Sequence, residues 1–165
     1  MIRFFEKDTF KHFCILFLII FSYTINYYYS LQGVFPVDSF SHFDTGYRIL
    51  LGEHPFKDYW AISGPVIDYL QSILFFIFGV SWKSYVAHSS IFNVVITVST
   101  FYLFKKFNLS NLTSFIYAFF FSILAYPSSG TPFADHHSTF FSLLSIYAAI
   151  FLIKKGLNPV STAHT

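Results

Sequence analysis

Four apolar blocks, at about residues 12–29, 85–104, 112–126 and 138–153, constrain this chain more than any other feature of its sequence. A helix needs roughly 20 predominantly apolar residues to cross a hydrocarbon core, and a lipid-exposed segment must satisfy its own backbone hydrogen bonds. The blocks therefore read as transmembrane helices, and the alternation that marks β-barrel strands is missing. Composition agrees: 55% of residues are hydrophobic, 24% aromatic and only 11% charged, a balance foreign to soluble domains. The expected fold is an all-α integral membrane protein with about four transmembrane helices. They form one membrane domain, 1–155, followed by a polar tail, 156–165. Arg3, Lys7 and Lys11 precede the first block and no small-residue cleavage site follows it, so it reads as a retained signal anchor. Tyr27, Tyr28 and Tyr29 suit an interfacial belt at its end. The lone Cys14 leaves no partner for an intrachain disulfide.

Between the first two spans lies a polar island, Asp38 to Asp68, which holds five of the eight acidic residues. It contains a fifth apolar block, 65–78, that is too short to span. If that block stays on one side of the membrane, positive-inside counting puts Arg3, Lys7, Lys11, Lys105, Lys106, Lys154 and Lys155 in the cytoplasm, seven of the ten basic residues. If it crosses, only Arg3, Lys7, Lys11 and Lys83 remain inside. The first arrangement is expected, with 65–78 as a juxtamembrane or re-entrant helix carrying Asp68, Gln71 and Ser72 on one face. The extracytoplasmic loop then runs over 30–84, the N-terminus is cytoplasmic, and 127–137 lies on the side of the acidic island. This describes a multi-pass protein of a bacterial inner membrane, with the lipid bilayer as its first partner. The basic residues sit in short clusters beside apolar blocks, which gives no nucleic-acid surface. The sequons at Asn108 and Asn111 fall in the cytoplasmic connection, away from glycosylation machinery.

Within the island, Phe40, Phe43, Tyr47 and Leu50 recur at helical spacing over 39–51, so a short amphipathic loop helix is expected there. Asp38 stands where an N-cap is wanted and Gly52 where a left-handed C-terminal cap is wanted. Asp38 thus has two compatible readings, helix cap and catalytic carboxylate, since a helix N-terminus favours an ionised acid suited to general base or metal ligand. Asp44 and Arg48 are spaced for an intrahelical ion pair. Asp58, beside Tyr59 and Trp60, reads as a turn-holding residue or a substrate contact. Asp135, His136 and His137 cap the last span or contribute to a metal site, although adjacent histidines on a helix do not face one point. His42 and His88 have no partner readable from the sequence, and Gly130 reads as a flexible loop residue.

The run VDSFSHFDTGYRILLGEHPFKDYWAISGPVIDYLQSILFFIFG, 37–79, resembles the first extracytoplasmic loop of GT-C glycosyltransferases. The likeness is to protein O-mannosyltransferases and bacterial lipid-linked sugar transferases. It is carried by Asp38 just after the first span, the Leu50-Leu51-Gly52 element, the Pro55-Phe56-Lys57-Asp58-Tyr59 turn, Gly64-Pro65 and the Phe78-Gly79 terminus. Where many members have Asp-Glu, this chain has Asp38-Ser39. More weakly, Asp135 after Tyr126-Pro127 matches an acidic residue of the family's second loop. The resemblance implies transfer of a sugar from a polyprenyl-phosphate sugar donor to an extracytoplasmic acceptor, with Asp38 as general base. It implies substrate contacts from Arg48, Lys57 and Asp58. The leaving phosphate would be met by Arg48, Lys57 or a divalent metal ion held by Asp135 and His136.

The likeness covers nearly all of this chain but only the N-terminal part of a GT-C fold, which usually has about twice as many spans. Three expectations follow: the N-terminal portion of a longer enzyme, a half-enzyme completed by a partner subunit that supplies the missing spans, or a small protein with another task. The alternative function is therefore a non-catalytic membrane accessory subunit or a degenerate remnant in envelope polysaccharide assembly or export.

Overall fold

The computed structural model describes residues 8–33, 40–61 and 63–156. Six α-helices follow in chain order: α1 (Asp8–Ser30), α2 (Ser41–Leu50), α3 (Val66–Phe78), α4 (Trp82–Lys106), α5 (Asn111–Leu124) and α6 (Ala134–Gly156), with a 3-10 turn at Tyr126–Ser128. Among the described residues there is no strand, only an isolated bridge between Pro55 and Tyr59. The expected apolar blocks and the loop helix are all helical. Three helices, α1, α4 and Ala134–Lys154 of α6, are long and apolar enough to cross a membrane. At 14 residues, α5 is shorter than the span expected over 112–126.

Local signals set the boundaries. Ser81 caps α4 by accepting from the Ser84 amide at 3.2 Å, and Ser110 caps α5 by accepting from Thr113 at 3.0 Å. At the end of α2 the Gly52 amide donates to Ile49 and the Glu53 amide to Arg48, the paired bonds of a Schellman closure, with Gly52 at φ +92°. The left-handed cap expected at Gly52 is present. The N-cap expected at Asp38 lies outside the described residues.

The helices are inside out relative to a soluble protein. On α1 the buried stripe is Cys14, Leu18, Ser22, Asn26 and Ser30, while Phe13, Leu16, Phe17, Ile19 and Ile20 face outward. On α3 the buried face carries Asp68, Gln71 and Ser72, and the outward face carries Ile73, Phe76 and Ile77. Water would penalise this arrangement; lipid favours it, because small and polar residues pack and hydrogen-bond between helices while apolar ones meet the chains. The α4 helix is the centre, buried along Ser84, His88, Ser89, Ser90, Asn93, Thr97 and Thr100. Asn93 Nδ2 donates to the Ser22 carbonyl of α1 at 2.8 Å and the Ser122 carbonyl of α5 at 3.0 Å, joining three helices through one amide.

Lys11, Lys105, Lys106 and Lys154 gather at one end of the bundle, while Lys83, in the first turn of α4, lies at the other. Lys11 lies 5.6 Å from the Tyr102 ring centroid, Lys105 donates to the Leu109 carbonyl at 2.7 Å, and Lys154 donates to the Lys106 carbonyl at 2.9 Å. At the opposite end, Trp82 Nε1 donates to the Ser30 carbonyl at 3.2 Å. The α3 helix lies across this second end. Its C-terminal Gly79 carbonyl accepts from Ser84 Oγ at 2.5 Å, and its N-terminal Ile67 shares a groove with His137 at the start of α6. Both of its ends therefore sit beside first turns of long helices, and its 13 residues, about 20 Å, do not run through the bundle.

Gly130 holds this end together. Its carbonyl accepts from Ser30 Oγ at 2.5 Å, Ser89 Oγ at 2.6 Å and Asn26 Nδ2 at 3.4 Å, so a residue read as flexible is pinned to α1 and α4. Its φ is +74°, and an added Cβ would fall 2.7 Å from Ser30 Oγ. Gly130→Ala is expected to combine left-handed strain of about 1–3 kcal/mol with loss of these bonds. A clear drop in the thermal unfolding midpoint in detergent would register it; an unchanged midpoint would contradict the pinning role.

Candidate functional site

At the end of the bundle opposite the lysines, α2, α3 and the start of α6 enclose a cleft of about 340 Å³. Its wall is formed by His42, Asp44 and Thr45 of α2 and Asp68 of α3, with Trp60, Phe133 and Asp135 around it. A second groove of about 260 Å³ shares Ser63, Ala134 and Asp135 with the first and reaches His137. No Lys or Arg lines either space among the described residues.

The strongest feature of the wall is a buried pair 26 residues apart in the chain. His42 Nδ1 stands 2.7 Å from Asp68 Oδ1, and Thr45 Oγ1 donates to the same oxygen at 2.5 Å. His42 is 5% exposed and Asp68 1%. Their meeting depends on Gly46, where an added Cβ would lie 2.8 Å from Gln71 Cγ and 2.9 Å from Gln71 Cβ. Only a residue without a side chain lets α2 approach α3 this closely. With Asp68 Oδ1 as the acceptor of this bond, the His42 imidazole donates from Nδ1, and both side chains line the cleft.

A second buried chain starts one turn further along α3. His88 Nδ1 donates to Gln71 Oε1 at 2.9 Å, His137 Nε2 donates to His88 Nε2 at 3.2 Å, and the Tyr126 hydroxyl bonds His137 Nδ1. These side chains are all buried. Asp68 and Gln71, noted in the sequence as one polar face of a short helix, are thus the partners of the two histidines whose partners the sequence did not reveal. The readable signal was that face; its direction, into the bundle, was not readable.

The other sequence candidates fall in different places. Asp38 lies outside the described residues. Asp135 joins the cleft. His136 does not enter it with Asp135; its Nε2 is 3.4 Å from Ser128 Oγ. Among the described residues no group of three or more His, Cys, Asp or Glu could share a metal ion. Arg48 forms the expected pair with Asp44 at 2.8 Å and adds Glu53 at 3.2 Å, and these hydrogen bonds keep its guanidinium even more firmly protonated than usual. Lys57 stands 3.7 Å from Asp58. Asp58 Oδ2 accepts from the His54 amide at 2.8 Å, closing the turn in which the Phe56 amide donates to Tyr59. Arg48, Lys57 and Asp58 therefore form a polar rim beside the cleft without lining it. Tyr59 bridges rim and wall: its hydroxyl donates to the Thr45 carbonyl at 3.4 Å, and burial, then the nearby Asp68 carboxylate, push its pKa up to about 12.

No protein-family model, curated protein or solved structure matches this chain. The chemistry of the cleft itself is therefore the ground for a functional reading. Carboxylates, a Thr hydroxyl and an imidazole beside Trp60 suit a neutral, hydroxyl-rich ligand, and the absence of cations on the wall among the described residues disfavours an anionic group there.

Gly46→Val is expected to push α2 from α3 and break the His42–Asp68 contact, costing about 1–3 kcal/mol as overpacking does. A lowered unfolding midpoint in detergent, with helix content by circular dichroism retained, would bear this out. An unchanged midpoint would mean that the close approach is not needed.

Proposed function

We propose that this chain is a multi-pass membrane protein that takes part in glycosyl transfer at the extracytoplasmic face, from a polyprenyl-phosphate sugar to a hydroxyl-bearing acceptor. The observation that carries the reading is the hydroxyl-compatible cleft with a buried His–Asp pair, at the end of the bundle away from the lysines. Positive-inside counting favours the lysine end as cytoplasmic, which would turn the cleft outward. In this topology α5, continued by the turn at Tyr126–Ser128, makes the fourth crossing, and α2 and α3 belong to the first extracytoplasmic loop. The lipid carrier reaches the cleft from the bilayer along the apolar outer face of α3, where Phe76 and Ile77 are exposed. Asp38 is the candidate general base by resemblance to the GT-C loop, and Arg48 and Lys57 on the rim are the candidate cations for the departing phosphate. A divalent ion, if one is used, would draw Asp135 to it. Spans from a partner subunit would complete the donor site.

The topology is checked by placing single cysteines in a Cys14→Ser background. Glu53→Cys is expected to react with a membrane-impermeant maleimide in intact cells, and Lys154→Cys only after permeabilisation. The reverse pattern would reject the orientation. For the chemistry, purified protein is expected to transfer hexose from a synthetic polyprenyl-phosphate hexose to an alcohol acceptor; with Asp38 as the base, Asp38→Asn reduces transfer at least about 100-fold, the scale of a lost general base. Full activity in that variant would remove Asp38 from the role and leave the cleft to supply the base.

A further inference from the structure

The cleft contains a proton acceptor of its own. We infer that His42 and Asp68 form a proton-transfer dyad, with His42, in place of Asp38, the catalytic base for a hydroxyl of a neutral ligand bound in the cleft and Asp68 its positioning partner. The inference rests on the transferase reading for the bond that is formed, but the dyad is defined by described residues alone.

The geometry supports each role. Asp68 Oδ1 accepts both His42 Nδ1 at 2.7 Å and Thr45 Oγ1 at 2.5 Å, which fixes the carboxylate in place and sets the proton of the imidazole on Nδ1. The lone pair is then on Nε2, the nitrogen from which a base works, and His42 lines the cleft. Asp68 is the fixed counter-charge that stabilises the imidazolium once it forms. Gly46 sets the distance between the helices that carry the two residues. Around the pair, Asp44 is engaged by Arg48 and Asp135 stands across the cleft, while His88 is occupied by Gln71 and His137. Among the described residues no Lys or Arg lies on the wall to oppose imidazolium formation or to attract an anion.

In the transfer step the acceptor O–H bond breaks and its proton goes to His42 Nε2. The freed oxygen pair forms the bond to the anomeric carbon, and the bond from that carbon to the phosphate oxygen breaks with its electrons on the phosphate. The imidazolium then returns its proton to water at the mouth of the cleft, and Asp68 stays ionised throughout.

The test uses the full chain in detergent micelles, with polyprenyl-phosphate hexose and an alcohol acceptor, and compares His42→Ala, Asp68→Asn and Asp38→Asn at retained helix content. The dyad predicts that His42→Ala lowers kcat about 10²- to 10⁴-fold with KM within threefold, and that added imidazole restores part of the rate in that variant alone. Asp68→Asn should lower kcat without rescue, and Asp38→Asn should keep kcat within threefold of the parent; a loss of about 100-fold in Asp38→Asn with none in His42→Ala returns the role to Asp38. A His42→Ala variant with kcat within threefold of the parent overturns the dyad and leaves the transferase reading standing. If the parent transfers no sugar, the transferase reading fails, and the dyad is judged by diethyl pyrocarbonate modification followed by peptide mapping. Selective reaction at His42, at least tenfold slower in Asp68→Asn, supports it; equal rates in the two proteins reject it.

Discussion

Everything in this molecule turns on one constraint: a polar side chain between lipid-facing helices has no water to bond and must find its partner within the protein, in its own helix or a neighbouring one. The Gly130 carbonyl is where the constraint is met most densely. Three side chains from α1 and α4 converge on it, and Asn26, one of the three, also donates to Ser89 and Ser90 at 3.0 and 2.9 Å. A carbonyl with two lone pairs accepts several donors, so a single backbone group fixes the spacing of two long helices and the segment that leads into α6. Because the segment is fixed, Phe133 and Asp135 stand opposite α2 and α3, and the cleft has a far wall.

The same constraint explains why the outer surface is so apolar. The exposed faces of α1 and α3 carry Phe, Ile and Leu, while serine, asparagine, glutamine and an aspartate are buried on them; α6 differs, burying Phe140 and Tyr147 with His137 and exposing Ser138, Ser142 and Ser145 beside Ile146 and Leu152. Bundles in lipid gain little from hiding one more leucine. They gain from close backbone approach and from hydrogen bonds that the bilayer cannot offer. Aromatic packing fills the remaining space: Phe21 and Phe119 pack 4.7 Å apart with tilted rings between α1 and α5, and Phe43 of α2 lies edge-on to Phe75 of α3 at 4.9 Å and to Tyr85 of α4 at 5.3 Å. Phe43 is thus the apolar counterpart of His42 beside it. One anchors α2 to the bundle and the other faces the cleft.

Much of this architecture was legible in the sequence, for physical reasons that differ by element. Long apolar blocks announce helices because no other structure satisfies their backbone in lipid, and Gly52 announced its cap because few other residues tolerate φ +92°. The count of basic residues gave the short block at 65–78 as non-spanning, and its helix is shorter than the three that are long and apolar enough to cross a membrane. Pairings across helices were not legible. Nothing local links His42 to Asp68 or His88 to His137, because their contact is set by the crossing of helices and by a glycine, Gly46, whose purpose is visible only when Gln71 lies against it. Asp58 shows the opposite case, where the plainer local reading as a turn-holding residue describes its observed bond.

The His42–Asp68 pair is hard to explain as a stabilising device. Bringing a carboxylate and an imidazole out of water costs several kcal/mol per charged group, and the attraction between them recovers this only when geometry and further hydrogen bonds are favourable. Apolar residues of similar volume in such positions are often neutral or better. Here α2 and α3 already hold each other through Phe43, Phe75 and the close approach at Gly46. The pair is therefore surplus to the packing, and the Thr45 hydroxyl, 2.5 Å from the same carboxylate oxygen and 2.9 Å from the Ser41 carbonyl, adds a third polar position beside it. Three polar residues arranged on one oxygen at the wall of a cleft, in a protein whose remaining polar groups bind helices together, are what a site of proton transfer requires and what a membrane bundle alone does not.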